Sequence, residues 1–464
     1  MPDEQPYDAA ILGGGPGGLA AAGQVARRGG RACLIEAGPI GGACLNVGCI
    51  PAKAMLHASG LCRQMRQAGR FGLAPREPAV DGAAFMQRVG EVVSAVREGA
   101  RKATAVNKRI DLIRGRGRLV GPTALAVATD GGEARVEAGS IIIATGSRPV
   151  RPRFLPWGGD CLMTSDEATT AGSLPESVLV IGGGVIGCEF ATAYAELGIR
   201  THLVEMLDRL LPDAAKEASE AVTASLTGCG AEVLSARRVL AVTPDGSGAA
   251  VELDGGRTLA VHRVLVAVGR EARTGGIGLE DVGVEVAGGI IPVDGRCRTN
   301  VEGVYAVGDV AEPRQYAHLA DQMGIVAAEN AMGHELHDDR SVVPVGVYTH
   351  PEIASVGLDL AEAKRRFGSA RAFRATYKSA GMAVACAQTE GLLKVVAAPD
   401  TGRIYGALWI GPHATDMIQE FALAIRCGLT LDQIHHTIHP HPTFQEAAAT
   451  VAAAWAAQAS RKRP

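Results

Sequence analysis

Residues 7–18 read YDAAILGGGPGG, and residues 176–187 read ESVLVIGGGVIG. Each is a short apolar run that ends in Gly-x-Gly-x-x-Gly. The first set is Gly13, Gly15 and Gly18; the second is Gly182, Gly184 and Gly187, each 169 positions later. The match continues outward. A helix-like stretch follows each set and stops at Gly29 and Gly198, where a glycine suits the residue after a helix end. RACLIE and RTHLVE come next, β-rich runs that end in Glu36 and Glu205, again 169 apart. Each unit therefore reads strand, glycine turn, helix, glycine stop, strand, acid.

This order is the dinucleotide-binding fingerprint. The first glycine permits the tight turn, the second lets backbone approach a pyrophosphate, and the third lets helix and strand pack closely. The helix N-terminus faces the phosphates with unpaired N–H groups. The acid lies 18 residues past the last glycine in both copies and is placed to accept from a ribose diol. Two units imply two dinucleotides. A carboxylate at Glu205 repels a 2′-phosphate, and Met206 and Leu207 follow it, with Arg209 the nearest arginine. NAD is therefore favoured over NADP at the second unit. Glu36 fits FAD or NAD at the first.

The chain has 464 residues, enough for about three domains. Hydrophobic residues are 47% and charged residues 20%, which excludes overall disorder. Glycine supplies 60 residues without a Gly-X-Y period, which excludes collagen. Aromatics are 4% and the formal charge is −3, so neither stacking on single strands nor a basic nucleic-acid footprint is expected. No apolar run reaches the ~18 residues of a membrane span. Met1 to Asp8 lacks the basic and apolar regions of a secretory signal, so a cytoplasmic protein is expected. Of ten cysteines, eight are scattered singly and read as small buried hydrophobes: Cys33, Cys62, Cys161, Cys188, Cys229, Cys297, Cys386 and Cys427. No zinc-type spacing occurs, so no metal is expected.

Cys44 and Cys49 are the close pair, within GGACLNVGCIPAK at 41–53. In a cytosolic chain such a pair points to catalysis or metal binding rather than to a structural staple. On a regular helix, a ~1.5 Å rise and ~2.3 Å radius put their Cα atoms roughly 8–9 Å apart. A disulfide needs less than about 7 Å. If they bond, the backbone must leave the regular helix, and Gly48 is a natural place.

GGACLNVGCIPAK resembles the redox-active motif of the flavoprotein disulfide reductases, the class I pyridine nucleotide-disulfide oxidoreductases. The resemblance runs along nearly the whole chain. It implies an α/β fold: two Rossmann-like domains, for FAD and NAD, and a C-terminal α+β dimerisation domain. The implied boundaries are FAD-binding 1–150, NAD-binding 151–270, central 271–345 (completing the flavin site) and interface 346–464. It also implies a Cys44–Cys49 redox disulfide, with Cys49 on the flavin side and Cys44 as the interchange thiol. Lys53 matches the lysine near the flavin and Glu189 the acid that pairs with it. Taken alone, either could be an ordinary helix charge.

Further apolar runs end at glycines. IIIATGSRP (141–149), with Gly146, and VLVAVGR (264–270), with Gly269, read as buried parallel strands opening into loops. The resemblance makes them close the flavin and nicotinamide domains. In TNVEGVYAVGDV (299–310), Gly308 and Asp309 match the second flavin motif, with the aspartate on the ribitol. AHLADQMG, from Ala317, matches the flavin-side helix.

From about Val345 the pattern changes. GLLKVVA (391–397) and GALWIG (406–411) read as antiparallel strands, and ATDMIQEFALAIRCG (414–428) as one helix. In HHTIHPHPTFQEA, Pro440 and Pro442 forbid a regular helix, so His441 sits on a stiff loop before Glu446. The pair resembles the family's catalytic His–Glu dyad, contributed across a homodimer interface, with a cis peptide before Pro442. His439 is found in the family branch that oxidises dihydrolipoamide with NAD. GPHATDMIQE and IHPHPT also resemble that branch most. A lipoyl-carrying protein or 2-oxoacid dehydrogenase complex is then the expected partner. An NAD(P)H-dependent reductase of another small disulfide or of a metal ion is the alternative. The C-terminal AQASRKRP carries no extra cysteine pair. Ala43 and Pro440 depart from the residues usual at their positions, a threonine and a small residue.

Overall fold

The computed structural model describes residues 6–460. Met1 to Gln5 and the final RKRP lie outside them. The first glycine unit builds a parallel sheet. Its central strand, Tyr7–Leu12, pairs with Ala32–Glu36 on one side and with the end of Gly132–Ile143 on the other. Ile110–Arg114 extends one edge, and Val304–Ala306 extends the other. Ala9, Ile11 and Ile141 to Ile143 are fully buried, as expected for strands covered on both faces. The strand Gly132–Ile143 serves two sheets. Its first half runs antiparallel to Ala124–Thr129, and its second half parallel to Tyr7–Leu12.

Helix Pro16–Arg27 crosses helix Ala317–Ala331 against this sheet. The crossing is close because both helices carry glycine there. A Cβ at Gly324 would lie 2.2 Å from the Gly17 carbonyl oxygen.

The second unit repeats the first. Strands Glu232–Ser235, Arg200–Glu205, Ser177–Ile181, Arg263–Val266 and Leu162–Thr164 form a parallel sheet in that order. A three-stranded antiparallel sheet, Val239–Asp245, Gly248–Leu253 and Thr258–Val261, accompanies it. The chain enters and leaves this unit through a two-stranded ribbon, Ser147–Pro149 against Arg270–Ala272.

The C-terminal part is an antiparallel sheet in the order Val345–Val347, Ile353–Gly357, Ile404–Ile410, Leu392–Ala397, Arg371–Thr376. Trp409, Tyr377 and Phe421 are buried between it and its helices. The segment 414–428 is not one helix. Ala414–Met417 and Gln419–Arg426 are divided at Ile418, whose carbonyl accepts from both Phe421 and Ala422 and tightens the turn. The eight scattered cysteines also divide. Cys33, Cys62, Cys161, Cys188 and Cys297 are buried, Cys229 and Cys386 partly so, and Cys427 is exposed. Cys427 falls at a helix end, beside Gly428, off the apolar face. No helix among the described residues is long and apolar enough to cross a membrane.

The glycines differ in what they tolerate. A Cβ at Gly187 would lie 1.9 Å from the Gly182 carbonyl oxygen, whereas one at Gly184 meets nothing within 4 Å. Gly187→Ala should therefore cost ~1–3 kcal/mol and lower the thermal midpoint by several degrees. Gly184→Ala should leave the midpoint nearly unchanged while weakening nucleotide binding. Differential scanning calorimetry with an NADH titration checks both.

Candidate active site

Both glycine turns have the same construction. Gly13 and Gly182 sit at φ +114° and +106°, where a side chain is strained, and each faces a carbonyl across the sheet. The helices that follow begin at Gly15 and Gly184 with no side-chain cap, so their first N–H groups are free for a ligand. Gly18 and Gly187 bring each helix onto its own turn. Glu36 accepts from the Gly14 N–H at 2.6 Å and from the Gly38 N–H at 2.7 Å. Glu205 accepts from the Gly183 N–H at 2.6 Å and from the Leu207 N–H at 2.8 Å.

The acids thus brace the turns, a role the spacing alone does not disclose. Arg209 turns away, donating to the Pro212 carbonyl at 2.6 Å. A cavity of about 920 Å³ opens beside Glu36, lined also by Gly38, Arg97, Arg101, Arg114 and Arg116. Uncapped helix starts, absent Cβ atoms and a carboxylate fit a dinucleotide at each turn.

The redox helix starts in the same region. Cys44 lies on the short helix Gly42–Asn46, and Cys49 opens helix Cys49–Gln67. Gly48 interrupts them at φ −121°, ψ −107°, so the pair leaves regular helix geometry at that residue. The structure holds both as thiols, joined by a hydrogen bond. The Cys44 hydrogen bond holds Cys49 down to about 7, with burial opposing it and the Lys53 charge assisting. The same bond, with burial, pushes Cys44 up.

Lys53, one turn on, pairs with Glu189 at 2.8 Å. Burial works against the Lys53 charge, but the Glu189 carboxylate outweighs it and raises the ammonium above its ordinary value. Tyr348 supplies two further contacts that the sequence reading missed. Its N–H donates to Glu189 at 3.0 Å, and Lys53 Nζ lies 4.4 Å from its ring centroid. Lys53, Glu189 and Tyr348 come from three different parts of the chain, so no local signal links them.

Gly146, Gly269 and Gly308 take φ of +69°, +115° and +71° at their strand ends. Asp309 follows in a 3₁₀ turn and accepts from the Ser147 hydroxyl at 2.5 Å. Ala317 opens the helix that crosses the first glycine helix.

His441 lies apart from these groups. Its Nδ1 meets Glu446 Oε1 at 2.8 Å, and the Thr443 N–H donates to Glu446 Oε2 at 2.8 Å. These bonds, His441 first, hold the Glu446 carboxyl below its usual range. The His441–Pro442 peptide is cis. The imidazole is 78% exposed, and its Nε2 bonds to none of the described residues. The His439 side chain is instead largely covered, against Glu420 at 3.1 Å. Among the described residues no group of three or more His, Cys, Asp or Glu could hold a metal ion.

The sequence matches the pyridine nucleotide-disulphide oxidoreductase model over residues 7–334, and that family's dimerisation domain over 343–452. The chain belongs to this family. Dihydrolipoyl dehydrogenase of Chlamydia pneumoniae is 37% identical over 443 residues, 95% of each chain. The enzyme of the same name from Bacillus subtilis is 36% identical over 458 residues, 95% of this chain and 96% of its own. The crystal structure of LpdA from Mycobacterium tuberculosis superimposes with a TM-score of 0.90 at 27% identity, covering 96% of this chain and 99% of its own. The HOCl-induced flavoprotein disulfide reductase RclA from Escherichia coli gives 0.86 at 25% identity, covering 96% and 99%. Family membership brings FAD and NAD as the cofactors.

Lys53→Gln removes a cation that favours the Cys49 thiolate. The Cys49 pKa should rise on the order of one unit. The pH dependence of alkylation of the reduced protein, read at Cys49 by mass spectrometry, checks it.

Proposed function

We propose that this chain is an NAD-dependent dihydrolipoyl dehydrogenase that oxidises protein-bound dihydrolipoamide to lipoamide. The observation that carries the reading is the Cys44–Cys49 pair beside the Lys53–Glu189 pair, at the junction of two braced dinucleotide turns. The similarity to enzymes of that name over 95% of the chain supports it. The reading extends to a homodimer, a lipoyl carrier or 2-oxoacid dehydrogenase complex as partner, and a cytoplasmic setting. The dimerisation domain and the absence of a membrane-crossing helix among the described residues agree with it.

The site residues then take these roles. In the oxidised state Cys44 and Cys49 are joined as a disulfide. A substrate thiol gives its proton to His441 of the partner subunit, whose exposed Nε2 is free while Glu446 fixes the other ring nitrogen. The substrate sulfur attacks Cys44, and the S–S bond breaks to leave Cys49 as a thiolate. The low Cys49 pKa makes it the better leaving group, and Lys53 steadies its charge. The second substrate sulfur attacks the sulfur bound to Cys44, and its proton passes to the departing Cys44 sulfur. Lipoamide leaves with its disulfide closed, Cys44 is left as a thiol, and the partner's His441 holds the other proton. The substrate has lost two electrons and two protons, and the cysteine pair has gained the electrons. Bound FAD, at Gly13, Gly15, Gly18, Glu36 and Asp309, and NAD, at Gly182, Gly184, Gly187 and Glu205, supply the two-electron chemistry that restores the disulfide. Glu205 disfavours a 2′-phosphate at the second turn.

Cys44→Ser should bind FAD yet lose NAD-dependent oxidation of dihydrolipoamide. His441→Gln should lose ~10²–10⁴-fold in rate. If each site takes its base from the partner subunit, refolding the two variants together should restore roughly a quarter of wild-type activity, because half the dimers then hold one intact site. Retained activity in Cys44→Ser, strong preference for NADPH, or turnover of glutathione disulfide in place of lipoamide would overturn the assignment.

A further inference from the structure

We infer that Ser147 and Arg270 are positioning residues for the flavin site, holding Asp309 through a hydrogen-bond relay anchored in the second nucleotide unit. The inference rests on the reading of Asp309 as a ligand of FAD. The Ser147 hydroxyl donates to Asp309 Oδ2 at 2.5 Å. Arg270 Nε donates to that same hydroxyl oxygen at 2.8 Å, and its Nη1 donates to Asp166 Oδ1 at 3.1 Å. The direction follows from chemistry. A guanidinium only donates, so Ser147 accepts from Arg270 and spends its single proton on Asp309. A hydroxyl polarised by a cation on one side and a carboxylate on the other makes a strengthened bond.

Ser147 is buried, and the Arg270 and Asp166 side chains are only 14% and 23% exposed, so water competes weakly. Asp309 Oδ1 bonds to none of the described residues and is left as an acceptor for a ligand hydroxyl. Without Ser147 the carboxylate is free to turn about its broad terminal torsion. The position of the relay adds a consequence. Ser147 and Arg270 lie on the ribbon Ser147–Pro149 and Arg270–Ala272, where the chain enters and leaves the second unit. Seating of that unit therefore sets the flavin-side aspartate.

The test is release of FAD from the full-length holoprotein, followed as the rise in flavin fluorescence after dilution. Ser147→Ala and Arg270→Gln should each speed release about tenfold. Ser147→Thr keeps the hydroxyl and should stay within about threefold of wild type. The double variant Ser147→Ala/Arg270→Gln should release FAD no faster than about the Ser147→Ala rate, because both act through one oxygen. Circular dichroism and the thermal midpoint identify any misfolded variant. If Ser147→Ala misfolds, Arg270→Gln and Ser147→Thr carry the test. Unchanged release in Arg270→Gln, release from Ser147→Thr tenfold faster than wild type, or additive effects in the double variant overturn the proposal. A wild-type protein that binds no FAD would instead sink the reading of Asp309, a separate outcome.

Discussion

A side-chain carbon at Gly18 would lie 1.8 Å from the Gly13 carbonyl oxygen, and one at Gly187 would lie 1.9 Å from that of Gly182. Most of the architecture depends on keeping those two spaces empty. Each glycine lets a helix fold back onto the turn that launches it. The helix start then points its unpaired N–H groups out of the sheet end, where an anion is wanted. The same geometry brings Gly14 and Gly183 to the carboxylates of Glu36 and Glu205, at 2.6 Å in both units. A charged acceptor on a backbone N–H is a strong bond, and it ties two neighbouring parallel strands together at their ends. One acid thus braces each turn.

Three regions of the chain meet at the candidate site. Lys53 belongs to the redox helix, Glu189 to the helix of the second turn, and Tyr348 to the C-terminal part. Burying an ammonium and a carboxylate is unfavourable unless each finds the other with good geometry. Here the 2.8 Å ion pair, the Tyr348 N–H and the tyrosine ring satisfy both groups. The result is a fixed positive charge beside Cys49. The break at Gly48 brings the second cysteine within hydrogen-bond reach of the first. Together they split two ordinary thiols into one that ionises near neutrality and one that resists doing so.

His441 belongs to another logic. Its carboxylate partner and its proline-stiffened loop fix one ring nitrogen, while the other is exposed and bonds to none of the described residues. It lies within the stretch that matches the family's dimerisation domain.

Much of this was legible in the amino-acid order. The repeat at 169 residues located both turns and both acids, because Cβ exclusion and strand periodicity are local constraints written in residue type. Cys44, Cys49, His441 and Glu446 stood out by spacing, or by resemblance where spacing was too weak. Other features were not legible. The bracing by Glu36 and Glu205, Tyr348 on Lys53, the tightened turn at Ile418 and the relay from Asp166 to Asp309 needed the fold. Each joins residues far apart in sequence, or rests on a backbone angle that several residue types allow. Sequence by itself determined where the chain could bend without a side chain in the way. Only the tertiary structure decided which charges would meet, because that depends on how three stretches far apart in sequence pack around one shared core.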